Sequence, residues 1–130
     1  ISNGYPLHLV HFITSRCNMR CTHCFYANTL DLPTSGEISI SKAESFTKEV
    51  GPLLWYAFAG GEPFLRKDLT ELHRVVDKNC RPKIFTIPTN GWYTEETFKS
   101  VLGILQQIDK RTLIIYFSLN AKDHFGIKKT

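Results

Sequence analysis

Four short apolar runs, Leu7–Thr14, Leu53–Ala59, Lys83–Ile87 and Leu113–Leu119, are separated by three longer amphipathic stretches. Runs this short, bounded by turn residues, mark buried strands, whereas apolar residues recurring every three or four positions mark helices. The pattern predicts the order β-α-β-α-β-α-β, an α/β fold. Right-handed crossovers then make the four strands parallel and place the three helices on the outside. Four strands do not close a barrel, and an open edge beside Leu113–Leu119 would invite pairing. The 130-residue chain is therefore expected to be part of a longer domain rather than a finished open sheet.

Local signals place the helices. Ser41-x-x-Glu44 reads as a capping box that starts the first helix, with Ala43, Phe46 and Val50 on its inner face and Gly51-Pro52 as its stop. Asp68 is expected to cap the second helix, whose stripe is Leu69, Leu72, Val75 and Val76. Pro88 closes the third strand. Thr94 is expected to cap the third helix, with Glu95 and Glu96 suiting its dipole and Phe98, Val101, Leu102, Leu105 and Ile108 facing inward.

Composition narrows the class. With 42% hydrophobic and 22% charged residues the chain is an ordinary globular sequence. Its net charge of +4 comes from 16 basic residues scattered among 12 acids, so nothing asks for nucleic acid. No apolar run approaches the ~20 residues of a membrane span. Three of the four cysteines crowd into residues 17–24. Spacing that tight suits a metal better than a disulfide framework and points to a reducing compartment, the cytoplasm. Cys80 reads as a small buried side chain.

In parallel α/β folds ligands sit at the C-terminal ends of the strands, and every unusual short motif here follows a strand. Cys17, Cys21 and Cys24 follow the first, Gly60-Gly61-Glu62-Pro63 the second, Thr89-Asn90-Gly91 the third and Ser118-Leu119-Asn120 the fourth. The C-x3-C-x2-C spacing offers soft thiolates for iron–sulfur clusters, zinc or copper(I). A closed zinc site needs a fourth ligand; His23 is nearest but abuts Cys24, and at least one of His8 and His11 is expected to be simply packed or solvated. Three thiolates on a four-iron cluster would leave one iron open, as a catalytic site requires. Gly60-Gly61 removes side chains where backbone must approach a ligand, and Glu62 is placed to receive an ammonium group. Asn90-Gly91 is also a common turn pair. Phe25 and Tyr26 either pack round the metal or cover the strand end.

Together these motifs resemble the radical S-adenosylmethionine (SAM) superfamily, in particular its peptide- and protein-modifying branch. The resemblance rests on Cys17, Cys21 and Cys24 in C-x3-C-x2-C and on the GGEP of Gly60–Pro63, one strand apart. It implies that the chain supplies the first four strands and three outer helices of a partial (β/α)6 TIM-like barrel, residues 1–130 being the N-terminal part of the core domain. It also implies a 4Fe-4S cluster on the three cysteines, SAM on the open iron, and reductive cleavage to a 5′-deoxyadenosyl radical that abstracts hydrogen from a substrate such as a peptide. An electron donor such as flavodoxin or ferredoxin would be the partner. Carried over residue by residue, Gly60, Gly61 and Glu62 would meet the methionine amino group, His23 the adenine, and Ser118 and Asn120 the ribose or carboxylate. Asn90 joins the cofactor-binding set. The chain departs from the family's Ser-x-Asp-Gly by reading Ser118-Leu119-Asn120-Ala121, and Lys128 stands where an arginine is common. Those departures motivate a second reading, a non-catalytic iron–sulfur module. A zinc-stabilised interaction domain is the third.

Overall fold

The computed structural model describes residues 6–31, 36–109 and 111–118. Its strands are β1 (His8–Thr14), β2 (Trp55–Gly60), β3 (Ile84–Thr89) and β4 (Thr112–Phe117), and its helices α1 (Ile40–Val50), α2 (Leu69–Cys80) and α3 (Thr94–Leu105). The strands form one sheet in the order β1-β2-β3-β4, every pair parallel. A strand order that never reverses sends each crossover the same way, so the helices collect on one face. That is the arrangement of a barrel wall; a doubly wound sheet reverses its order partway.

The side chains follow. Ile13, Tyr56, Phe58, Phe85 and Ile87 are buried with Leu69, Leu72, Val75, Val76 and Ile104 of the helices in one core. On the opposite face Val10, Phe12 and Tyr116 are exposed. The β1–β2 register slips between Phe12 and Thr14, a bulge-like irregularity at the end where the cysteines begin.

Several local expectations are corrected. The cap of α1 is Ser39, whose hydroxyl accepts from Lys42 N, and Ser41 lies inside the helix. The Ser41–Glu44 box does not form, and Glu44 pairs instead with Lys48 and Lys78. Phe46 is exposed while Thr47 is buried, its hydroxyl donating to Ala43 O at 2.7 Å. Asp68 occupies the cap of α2 without a capping bond, because its carboxylate is engaged by Arg66. Thr94 is the first residue of α3 and Tyr93 its cap. The inner face of α3 is rotated: Thr97 and Ile104 are buried, Val101 and Ile108 pack on the core, and Phe98 is 64% exposed, with Leu102 and Leu105 also outside. Pro88 lies within β3, opposite Tyr116, beyond the point where β2 stops pairing at Thr86. A proline is tolerated there because no ladder bond to β2 is needed.

Two stability predictions arise. Leu72→Ala empties a fully buried position and should cost about 2–5 kcal/mol, whereas Phe98→Ser should cost under about 1 kcal/mol, as read by chemical denaturation. His11 is packed among Phe46, Tyr56 and Phe58, its Nδ1 2.9 Å from the Tyr56 hydroxyl. Burial, helped by the Arg66 charge, lowers its pKa from 6.5 to about 4. The unfolded chain therefore takes up this proton first, and stability falls as pH drops from 6.5 toward 4. His11→Gln should flatten that part of the stability–pH curve.

Candidate iron–sulfur and cofactor site

The loop of residues 15–31 leaves β1 and returns to it. Asp31 N–H donates to Ser15 O at 2.9 Å, and the Asp31 carboxylate holds Arg20, whose guanidinium also donates to Cys17 O and Met19 O at 2.8 Å each. Asp31 itself sits at φ 59°, a left-handed conformation that aspartate tolerates. Within the loop Cys24 N–H donates to Cys21 O at 3.1 Å, so the second and third cysteines sit on one turn.

The end of β2 clamps this loop. Gly61 N–H donates to Thr14 O at 2.9 Å and Glu62 N–H to Arg16 O at 2.7 Å. A Cβ on Gly60, at φ +125°, would lie 2.2 Å from Thr14 O, and one on Gly61 would lie 2.1 Å from Arg16 O. The close approach that demands both glycines is thus to the protein's own β1 end, an origin the sequence did not disclose.

Glu62 is 1% exposed and joins a third strand end. Its carboxylate accepts from Phe64 N at 3.3 Å, Thr89 Oγ1 at 3.0 Å and Asn90 N at 2.7 Å. Burial pushes its pKa up, and those three hydrogen bonds oppose the rise. Three acceptances leave about one of the roughly four lone-pair sites of a carboxylate for a further donor.

These elements enclose a cavity of about 300 Å³ lined by Cys17, Cys21, Cys24, His23, Gly60, Gly61, Glu62, Asn90 and Ser118. Every described member of the expected site is therefore brought to one place. Asn120, Ala121 and Lys128 lie outside the described residues. Phe12, Met19, Leu30, Ala59, Pro88 and Thr89 also line it; of these, Phe12, Met19, Leu30 and Ala59 carried no signal in the sequence. Phe25 lines the cavity but is 87% exposed, and both it and Tyr26 pack on Phe12. His8 stacks on Trp55 with ring centroids 4.2 Å apart.

Arg66 was also unforeseen. Only 3% exposed, it donates to Ile13 O and Ile38 O at 3.0 Å and pairs with Asp68. It ties the end of β1 to the entries of α1 and α2.

Burial pushes the Cys17 thiol up, as do the nearby Glu62 and Cys21, while Met19 N–H and Arg20 work the other way. A bound cation reverses such a balance by taking the thiolate directly. Three soft thiol donors round one cavity suit an iron–sulfur cluster.

Comparison with known proteins agrees. Residues 2–123 match the family described as the 4Fe-4S single cluster domain. The chain belongs to that family. It is likewise a member of the radical SAM superfamily that its motifs resemble. Fe-coproporphyrin III synthase of Methanosarcina barkeri is 34% identical over 106 residues, 69% of this chain and 25% of that protein. A PqqA peptide cyclase of Rhodopseudomonas palustris is 38% identical over 74 residues, 55% of this chain and 19% of the cyclase. The crystal structure of Streptococcus suis SuiB bound to its precursor peptide SuiA superposes with a TM-score of 0.67 at 26% identity, covering 95% of this chain and 27% of SuiB. This radical SAM chain thus spans about a quarter of the length of such relatives. The sheet of four parallel strands with three helices is the corresponding part of their partial barrel.

Gly61→Ala should displace the Cys17 loop in this radical SAM domain. The metal-free protein should then label faster with a thiol reagent than the parent, while Gly36→Ala, with open space at its Cβ, should leave the rate unchanged.

Proposed function

We propose that the chain is the N-terminal part of the core domain of a radical SAM enzyme. Cys17, Cys21 and Cys24 hold a 4Fe-4S cluster, and the remainder of their cavity receives SAM. The observation that carries this reading is the meeting of three thiols, the buried Glu62 and the ends of four parallel strands round one cavity. Bound there, the two groups would supply hydrogen-abstracting radical chemistry once the cluster receives one electron; the protein supplies orientation and a dry pocket.

The residues divide that work. Glu62, fixed by three donors, offers its remaining lone pair to the methionine amino group beside Gly60 and Gly61. His23 faces the adenine, Asn90 stands at the cluster side of the pocket, and Ser118 and Asn120 meet the ribose or the carboxylate. The substrate is a peptide or protein, a reading supported by the PqqA peptide cyclases and by SuiB with its precursor peptide. The sheet face opposite the helices, where Val10, Phe12 and Tyr116 are partly exposed, gives such a substrate an apolar wall. A flavodoxin or ferredoxin delivers the electron, in the reducing cytoplasm where exposed thiols persist. Among the described residues no helix is long and apolar enough to cross a membrane.

The test is anaerobic reconstitution of the full-length protein with iron and sulfide, then addition of SAM and dithionite. The parent should release 5′-deoxyadenosine, and replacing any one of Cys17, Cys21 or Cys24 by alanine should reduce release to background. A parent that holds its cluster yet releases none would favour a non-catalytic iron–sulfur module.

A further inference from the structure

The turn after β3 makes more contacts than a turn requires. Gly91, at φ 74°, lets the chain reverse, and Trp92 N–H donates to Asn90 Oδ1 at 3.0 Å. That contact fixes the sense of the Asn90 amide, because only the oxygen can accept. The nitrogen is then turned toward the cysteine loop. Nδ2 donates to Asn18 Oδ1 at 2.8 Å and stands 4.0 Å from Cys17 Sγ, the outer edge of N–H···S contact. The backbone of the same residue donates to Glu62 Oε2 at 2.7 Å. The Asn90 side chain therefore cannot turn away without breaking its contacts to Trp92 and Asn18, and its backbone is held separately by Glu62.

The Cys17 sulfur has a second donor, Met19 N–H at 3.4 Å. N–H dipoles aimed at a cluster's sulfur ligands favour the more negative, reduced state, and hydrogen bonds to those sulfurs set its potential. Met19 supplies its dipole from within the loop, through the backbone. Asn90 supplies a side-chain dipole from the turn after β3, 73 positions away.

We propose that Asn90 is a positioning residue that holds Cys17 against the end of β3 and raises the reduction potential of the cluster. The proposal rests on the cluster reading above and assigns Asn90 a role separate from any contact with SAM.

The experiment is a mediated dithionite titration of the reconstituted full-length protein, followed by electron paramagnetic resonance, with no SAM present. Asn90→Ala removes both amide groups. Asn90→Asp keeps an acceptor for Trp92 and preserves the turn, but has no donor for Cys17. Both should keep parental iron and sulfide content and circular dichroism. At a fixed solution potential each should hold a reduced-to-oxidised ratio at least about fivefold below the parent's, the worth of one modest hydrogen bond. A midpoint unchanged in both variants, with the parent cluster intact, overturns the proposal alone. A parent that assembles no cluster overturns the functional reading, and this proposal with it.

Discussion

Three strand ends are held in register by one residue pair. Gly61 and Glu62 donate their backbone N–H groups to Thr14 O and Arg16 O, and the Glu62 carboxylate then accepts from Thr89 and Asn90. Burying a carboxylate costs several kcal/mol unless its oxygens are satisfied. Here three donors offset that cost, and all three become fixed in turn. The cysteine loop hangs from this junction. Cys17 follows Arg16 directly, and the Ser15–Asp31 bond closes the loop behind it. A side chain at Gly61 would collide with the backbone of the loop it supports.

The same junction explains how a wall of four strands presents a site. Because the strand order never reverses, the helices cover one face and the core fills it with aromatic and branched side chains. The polar and sulfur chemistry is left to the strand ends, where loops are freed from ladder pairing. Arg66 secures the other side, reaching Ile13 O and Ile38 O while its charge is met by Asp68. The Asp68 carboxyl is held below its usual range by that hydrogen bond, against some burial. Both faces of the loop's root are thus anchored by buried ionisable groups with named partners.

The element order and the four-motif rim were legible because they depend on spacing and periodicity alone. All of the expected site residues that the structure describes line the one cavity. Helix starts were less legible. Ser39 and Ser41 are chemically equivalent caps, and only the backbone decides that Ser39 takes the role. The face of α3 was misread because Phe98, Leu102 and Leu105 outnumber the buried Thr97 and Ile104, so hydrophobic count pointed to the wrong side. Arg66 and Asn18 were invisible for another reason. Their partners are backbone carbonyls and a side chain remote in sequence, and no local pattern encodes such contacts. The sequence pointed to a ligand at the glycine pair, whereas the group that a side chain there would meet is the protein's own backbone at Thr14 and Arg16.

The most direct test of the central claim is electron paramagnetic resonance of the one-electron-reduced, reconstituted full-length protein, recorded with and without SAM. The account predicts a four-iron signal whose g-values shift when SAM is added, because cluster and cofactor share the cavity beside Glu62. A four-iron signal indifferent to saturating SAM, or a folded protein that assembles no cluster, would contradict it.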